Sequence, residues 1–421
     1  MRRDPRPMAP RVSGLIVLLL ALTAIAGAAG CGERTAASPS RATPLSSPSA
    51  SVAGGSWARV QPEHATAFTR SAERLALPFR EYRRAGSWRV PDLTDRTAVL
   101  MRNAGEHQQL WLMDLSNGRT RQVFARATNA KPGFWIGSVH LSDRWLVWEE
   151  VGPGDDLAEP VDWKLYAAPL PRASLTAGKP ILIASASNAE ASRPLFDVSG
   201  SRLAWVSTAW GSRGTAARSQ LTVRDLDSGR RQVLYRAHGV LDTVNLRGDQ
   251  AIVGETPQQG ARATRFKVLE LAGGGPVAGF EVGSEYSLSH WPAWRDGWLA
   301  WAPFPTATAT YPLLYVRDPS GRTYTEGGFA VDPCFVGPYL FFHTQRDGPP
   351  RVGSTVEVRA LRLSDMRTSV LESGRPGDND WWHGVVGAPE LNRTYVTYLD
   401  RALFAEKDSD RYTIIRVYRV E

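Results

Sequence analysis

Cysteine is nearly absent from this chain, which has only Cys31 and Cys334 in 421 residues. A body that contains a single cysteine cannot be held together by a disulfide framework. Its stability must therefore come from a hydrophobic core, and a chain of this length is long enough to bury a large one.

Lysine is also scarce, with five residues against 45 arginines. Such a bias is typical of a high-GC genome, and we interpret it as actinobacterial. No basic run alternates with aromatic residues in the way that a nucleic-acid-binding groove requires. The formal net charge of +8 therefore predicts no nucleic-acid partner.

Familiar catalytic motifs are missing as well. There is no Gly-x-Ser-x-Gly elbow and no alternation of strands with helices, which excludes an α/β-hydrolase. No cofactor is predicted, because no cofactor-binding loop occurs. The seven histidines do not show the close spacing of metal ligands. We predict no metal site. The weak candidates for calcium ligands are the carboxylates of Asp155, Asp156, Glu159 and Asp162. The alternative is that this acidic stretch is a solvated loop between strands.

The first thirty residues have the three zones of an export signal. Arg2, Arg3, Arg6 and Arg11 supply positive charge, and the chain is almost wholly apolar from Ser13 to Ala29. The apolar run is shorter than the roughly 20 residues that a permanent membrane span needs. We predict that residues 1–30 are a signal peptide.

The residues Ala28-Ala29-Gly30-Cys31 resemble the bacterial lipobox, although leucine is commoner where Ala28 stands. The resemblance implies cleavage before Cys31, acylation of its thiol (palmitate among the chains) and anchoring to the outer face of the cell membrane. The alternative is an ordinary secreted protein cut near Ala29. Residues 31–56 begin with this cysteine and continue as a Ser/Pro/Ala-rich stretch, which predicts a disordered spacer.

The body is organised by an internal repeat. A turn followed by an apolar strand occurs seven times, about 50 residues apart. These strands end at Met101, Trp148, Trp205, Val253, Trp301, Phe342 and Tyr398. Short strands recurring at this period predict an all-β protein, a single β-propeller over residues 88–421 with about 50 residues per blade. We predict seven blades, with six as the alternative.

Residues 57–87 form a lead-in to the repeats. The spacing of Phe68, Ala72 and Leu75 suggests a short helix within residues 62–76. The last repeat has only three strands, so a closing outer strand is expected from the N-terminal side, near residues 76–82.

The motif SGSRLAW followed by LTVRDLDSGRR resembles the repeats of TolB-like propeller proteins, which are related to WD40-like repeats of the bacterial envelope. The resemblance covers about residues 88–421 and is specific for the fold. It implies binding or scaffolding in the cell envelope. Two departures are the incomplete Ser-Pro-Asp-Gly turn and a blade count above the six that are typical of TolB.

Aromatic residues recur just ahead of these strands, where the innermost strand of a blade lines the central channel. Tryptophan faces stack on sugar rings, and His and Asp supply directional hydrogen bonds. The candidate ligand-binding residues are Trp135, His290, Trp291, Trp294, Asp380, Trp381, Trp382 and His383. The alternative is that these tryptophans pack between blades, as we expect of Trp148, Trp205 and Trp301.

Three functions remain open. The first is a membrane-tethered extracytoplasmic binding or scaffolding module, expected to be monomeric, for an envelope protein or a cell-wall glycan. The second is a glycan-active hydrolase or lyase with its site at the channel mouth. The third is a sensor or accessory subunit. The lack of a recognisable nucleophile, metal motif or cofactor loop favours binding over catalysis.

Replacing Cys31 with Ser removes the thiol that acylation requires. We expect the variant to appear in the culture medium, because a chain without lipid has no stable attachment to the bilayer. Fractionation into membrane and medium, with immunoblotting of each fraction, measures this, and Cys334→Ser is the matched control. Retention of the Cys31→Ser variant in the membrane fraction would contradict lipid anchoring.

Overall fold

A computed structural model describes the greater part of the chain from Ala58 onward. The described residues are 58–60, 64–86, 88–104, 107–124, 134–152, 162–171, 174–187, 192–209, 218–257, 264–282, 286–287, 292–302, 304–305, 313–345, 355–374, 381–387, 394–400 and 412–420. Their regular elements are β-strands. No helix among them is long and apolar enough to cross a bilayer. Cys31 and the predicted signal peptide and spacer lie outside these residues.

The lead-in contributes four strands and the repeats contribute the others. The lead-in strands are β1 Ala58–Arg59, β2 Thr66–Ala67, β3 Thr69–Arg74 and β4 Phe79–Ala85. The first three repeats contain β5 Arg89–Leu93, β6 Thr97–Ala104, β7 His107–Asp114, β8 Thr120–Phe124; β9 Trp135–Leu141, β10 Trp145–Val151, β11 Trp163–Pro169, β12 Ile181–Ala186; and β13 Leu195–Ser199, β14 Arg202–Ala209, β15 Arg218–Asp225, β16 Arg231–Ala237.

The later repeats follow the same plan. They contain β17 Gly239–Arg247, β18 Gln250–Pro257, β19 Thr264–Glu270, β20 Pro276–Val282; β21 Tyr286–Ser287, β22 Ala293–Arg295, β23 Trp298–Trp301, β24 Phe304–Pro305, β25 Leu313–Arg317; β26 Thr323–Val336, β27 Tyr339–Gln345, β28 Val356–Arg362, β29 Arg367–Gly374; and β30 Trp381–Gly387, β31 Thr394–Asp400, β32 Tyr412–Arg419. The strands β21 and β24 form a separate two-stranded pair.

Hydrogen bonding joins the described strands into six sheets of four or more strands, which matches the alternative blade count. One of these sheets has nine strands because β26, which is 14 residues long, ends one four-stranded array and begins the next. The seven repeats of the sequence correspond to seven four-stranded arrays, two of which β26 merges into one sheet. The described residues therefore form six blades, and the prediction of seven is wrong. The prediction of an all-β protein with a single β-propeller is confirmed.

Both faces of the second array are buried against its neighbours. In β10, all seven residues are buried, and successive side chains point to opposite faces of the sheet. Trp148 packs against Tyr166 and the first array, whereas Val147 packs toward the third array. The tryptophans 148, 205 and 301 are buried, so their predicted packing between blades is confirmed.

The ring closes through strands from the two ends of the described chain. The inner strands contact one another in the order β5, β9, β13, β17, β22, β26, β30 and back to β5. In the last array, β4 pairs antiparallel with β32, from Phe79 opposite Tyr418 to Ala85 opposite Tyr412. The N-terminal side therefore supplies the outer strand that the last repeat lacks.

The lead-in forms a belt, defined here as residues 58–60 and 64–85, along the outer strands of four arrays. β1 pairs parallel with β20, β2 with β26 and β3 with β29. The helix expected within residues 62–76 is therefore wrong. Phe68 and Leu75 are not on one face of a helix; Phe68 packs between the fifth and sixth arrays and Leu75 between the sixth and seventh.

Truncating a tryptophan between arrays should destabilise the whole ring. Trp148→Ala leaves a large cavity, and we expect the free energy of unfolding to fall by about 3–5 kcal/mol. Urea denaturation followed by circular dichroism measures the change. Leu182→Ala, at an exposed side chain on β12, is the control and should change stability by less than about 0.5 kcal/mol. Equal effects of the two substitutions would contradict the packing assigned to Trp148.

Candidate functional site

The two ends of the ring differ in their connections. The inner strands end in tight turns, as between Leu141 and Trp145, and we call this end the turn face. They begin at the opposite end, the connection face, where longer segments link the strands, as between Val151 and Trp163. Binding residues concentrate on loops held by a rigid scaffold. The connection face is therefore the candidate functional face.

Trp135 lies at the connection face, as the first residue of β9, and is half-buried. The guanidinium carbon of Arg193 lies 5.0 Å from the centre of its ring, within the range of a cation–π contact. Arg193 donates from Nε to Glu149 Oε1 at 3.1 Å and from Nη2 to Oε2 at 2.7 Å. The indole ring and the guanidinium over one of its faces are thereby held together.

Local backbone geometry explains how Glu149 reaches Arg193. The register of β9 against β10 shifts between Trp148 and Glu150, so a bulge re-aims the side chain of Glu149. A Cβ atom on Gly137 would overlap both Arg193 Nη2 and Glu149 Oε2, so any side chain at this position would displace the pair. Burial raises the pKa of Glu149, and the hydrogen bonds and charge of Arg193 oppose this shift.

A second polar cluster lies at the connection face between the third and fourth arrays. Lys267 Nζ is 2.7 Å from Glu255 Oε2, and it donates a hydrogen bond to the hydroxyl of Tyr235. Tyr235 in turn donates to Glu255 Oε2 at 2.9 Å. Burial lowers the pKa of Lys267 to about 8 and raises the pKa of Glu255.

Asp242 lies beside this cluster, at a bulge of the inner strand β17. Its Oδ2 accepts a hydrogen bond from Thr256 Oγ1 at 2.7 Å, whereas no described residue donates to its buried Oδ1. Burial raises the pKa of Asp242 to about 6, with a smaller contribution from the charge of Glu255. Two groups with pKa values near neutrality, Asp242 and Lys267, therefore lie in one cluster.

The polar residues nearer the turn face have a different role. Asp92 Oδ2 accepts a hydrogen bond from the amide of Leu141 at 2.8 Å, and Asp197 Oδ2 accepts one from Leu246 at 2.7 Å. Each bond joins an inner strand to the next one, 49 residues along the chain. These carboxylates hold neighbouring arrays in register.

His140 lies between these two carboxylates. Its Nδ1 is 3.5 Å from Asp92 Oδ2 and 3.6 Å from Asp197 Oδ1. Burial alone would lower the pKa of His140, but the hydrogen bond and charge of Asp92 together with the charge of Asp197 raise it above its usual value. Near the turn face, the inner strands are thus held together by charged groups as well as by hydrogen bonds from main-chain amides.

The structure separates the residues predicted from the aromatic pattern. Trp294 is buried, contacts Phe280 with ring centres 5.6 Å apart and donates to Gln250 Oε1 at 3.2 Å. It therefore packs between arrays, and the ligand-binding role predicted for it is wrong. Trp381, Trp382 and His383 begin the inner strand β30, at the same end as Trp135, but their side chains are not described. His290, Trp291 and Asp380 lie outside the described residues.

The weak calcium candidates are separated in the same way. Asp162 is exposed directly before β11, whereas Asp155, Asp156 and Glu159 lie outside the described residues. Among the residues that the structure describes, no group of three or more His, Cys, Asp or Glu is arranged to hold a metal ion.

Several residues of the two clusters were not found from sequence. Glu149, Glu255 and Lys267 are buried charged side chains within strands of the ring. Charged residues are rarely buried unless they are paired. A charge within a strand that is buried on both faces is the signal that would have indicated them.

Replacing the Asp242 carboxyl with an amide should change how stability depends on pH. The folded pKa of about 6 exceeds the ordinary value of 3.8, so the stability that protonated Asp242 contributes is complete below about pH 4 and is lost as the pH rises to about 6. We expect Asp242→Asn to be more stable than the wild type by about 1–2 kcal/mol at pH 8 and to lose this advantage below pH 4. Urea denaturation from pH 4 to 8 measures this, with Asp249→Asn at an exposed turn as the control. A gain that does not vary with pH would contradict the role of burial.

Comparisons with known proteins find distant similarity to solved β-propeller structures and no similar sequence. No protein-family model and no curated protein matches the chain. The β-propeller domain of the trilobed protease from Pyrococcus furiosus is 10% identical, with 66% of this chain and 80% of that chain covered and a TM-score of 0.42. An acylaminoacyl peptidase from Pyrococcus horikoshii is 11% identical over 63% of this chain and 43% of its own, with a TM-score of 0.43. An oligogalacturonate lyase in complex with manganese is 11% identical over 84% of this chain and 99% of its own, with a TM-score of 0.48. This chain thus spans less than half of the length of the peptidase. Sequence identities and TM-scores this low carry no information about activity.

Proposed function

We propose that this protein is a lipid-anchored, extracytoplasmic β-propeller that binds a cell-wall glycan or an envelope protein without chemically changing it. The proposed binding site is the connection face around Trp135 and Arg193. The attachment to the membrane is proposed from the lipobox-like sequence at Cys31, and the envelope role from the resemblance to TolB-like repeats.

The observation that carries this proposal is the fixed pair of Trp135 and Arg193. A half-buried indole offers a flat apolar face on which a sugar ring stacks. A guanidinium beside it supplies N–H donors to hydroxyl or carboxylate oxygens, and its bidentate contact with Glu149 limits the side-chain freedom that binding would have to remove. Such a pair is suited to recognition and contains no nucleophile.

The second candidate, a glycan-active hydrolase or lyase, is favoured by Asp242 and Lys267. Catalytic acids and bases work best when their pKa values lie near the working pH. Burial brings the pKa of Asp242 to about 6 and that of Lys267 to about 8, at the same end of the ring as Trp135.

Binding of the full-length protein to purified peptidoglycan and to soluble wall polysaccharide tests both candidates. We expect Trp135→Ala and Arg193→Met each to weaken binding by roughly tenfold or more, because each removes a central contact. Co-sedimentation and titration calorimetry measure this. Trp298→Ala, at a half-buried tryptophan on the turn face, is the matched control and should leave binding unchanged.

The same incubations show whether the polysaccharide is cut. Release of new reducing ends or unsaturated sugars by the wild type, but not by Asp242→Asn, would contradict the non-catalytic proposal and favour the enzyme. Unchanged binding by Trp135→Ala, with the protein folded, would contradict the proposed site.

A further inference from the structure

A small cavity of about 190 Å³ lies where the belt crosses the sixth array. The belt contributes Arg70 and Ser71 to its wall, and the array contributes Glu326, Thr344, Glu357 and Arg359. A water molecule occupies roughly 30 Å³ of liquid, so the space suits a group of a few heavy atoms. The cavity is separate from the Trp135 pair, and nothing in the proposed function depends on it.

Glu326 is the group in this cavity whose hydrogen bonding is incomplete. Its side chain is only 1% exposed, yet no described residue donates a well-formed hydrogen bond to either carboxylate oxygen. Arg70 Nη2 lies 3.0 Å from Oε1, but its hydrogen bond goes to the main-chain oxygen of Glu326 at 3.1 Å. A buried carboxylate normally accepts several hydrogen bonds, because burial without them is costly.

The other cation of the cavity is already engaged. Arg359 donates from Nε to Glu357 Oε2 at 2.8 Å, and its Nη2 lies 2.7 Å from the same oxygen. Its Nη1 donates to Thr368 Oγ1 at 3.1 Å. Arg359 is thus held by Glu357 and Thr368, which leaves Glu326 as the carboxylate that a ligand can address.

Arg70 is the more exposed of the two arginines that line the cavity. Its side chain is 51% exposed, so a cation that enters can displace it from Oε1 into solvent at little cost. Burial raises the pKa of Glu326, and the charges of Arg70 and Arg359 oppose the shift. A ligand that brings both positive charge and N–H donors would stabilise the ionised carboxylate.

We propose that this cavity binds a primary ammonium group. Its three N–H donors supply the hydrogen bonds that Glu326 lacks, and its small head fits within the cavity. A divalent metal ion is less suitable, since calcium requires six or more oxygen ligands and two arginines lie close by. The ammonium can belong to an amino sugar or to a lysine side chain.

Calorimetric titration of the full-length protein tests the chemistry of the group. Methylammonium is the probe, and tetramethylammonium has the same charge without N–H donors. We expect methylammonium to bind at least tenfold more tightly than tetramethylammonium and acetate. Equal binding of the two cations, or tighter binding of acetate, overturns the proposal.

Two variants with opposite expected effects test the residues. Glu326→Gln should weaken methylammonium binding by at least tenfold, because it removes the charge that the ammonium pairs with. Arg70→Met, which removes the competing cation, should strengthen binding by about threefold or more and keeps the proposal testable if Glu326→Gln does not fold. Glu281→Gln, in an ion pair on the fourth array, is the matched control. Unchanged binding by both variants of the cavity overturns the proposal.

Two further arms identify the source of the ammonium. Glucosamine is compared with N-acetylglucosamine, and lysine methyl ester with its Nε-acetylated form. Tighter binding of the free amine in either pair supports the proposal and assigns the source to wall sugar or to protein. Equal binding within both pairs counts against it. If methylammonium does not bind but polysaccharide binding at Trp135 is intact, the inference about the cavity fails and the proposed function stands.

Discussion

The pairing of β4 with β32 is the interaction on which the ring depends. Every other array is built from residues that follow one another closely in sequence, whereas this one joins Phe79–Ala85 to Tyr412–Arg419. Without it, the last array would have three strands, and Tyr82 would be missing from the cluster between the last and first arrays. Trp88, Leu100 and Met113 of the first array pack with Ile415 of the last in a single buried cluster, so closure also completes the core.

Closure determines where charge can lie. Because each array is covered on both faces, a charged side chain in the middle of a strand must find a partner or reach a strand end. Glu149 pairs with Arg193, Lys267 with Glu255, and Glu357 with Arg359, all near the end where the inner strands begin. Nearer the tight turns at the opposite end, Asp92 and Asp197 accept hydrogen bonds from main-chain amides, and His140 lies between them. The same constraint that stabilises the core thus restricts buried charged side chains to positions where they find a partner.

The fold was largely predictable from sequence, because its repeat is encoded in local turns and apolar strands. Each of the strands that end near Trp148, Trp205 and Trp301 is the second strand of an array, as the repeat predicts. The belt was not predictable, since Phe68 and Leu75 are spaced as on a helix and only the open edges of distant strands make an extended path favourable. Trp294 was misassigned for a related reason. The aromatic pattern does not tell a residue that lines the channel from one a few positions later that packs between arrays.

The clusters at the connection face depend on pairs that are remote in sequence. Arg193 lies 44 residues from Glu149, and Tyr235 lies 32 from Lys267. Sequence spacing does not reveal such pairs, because bulges in the strands decide which way each side chain points. The bulges at Glu149 and Asp242 depend on interstrand register, which local residue preferences do not specify.

The lengths of the belt strands also determine the order in which their pairings would break under tension. Its contacts lengthen along the chain, from two paired residues in β1 and two in β2 to six residues in β3 and seven in β4. Tension applied to the chain ahead of Ala58 would therefore load the shortest pairings first, on the fourth and fifth arrays. Each detachment would lengthen the free segment and relax the load before the next pairing is strained. The belt would thus detach in steps, and the pairing of β4 with β32 would carry the force only after β1, β2 and β3 had been released.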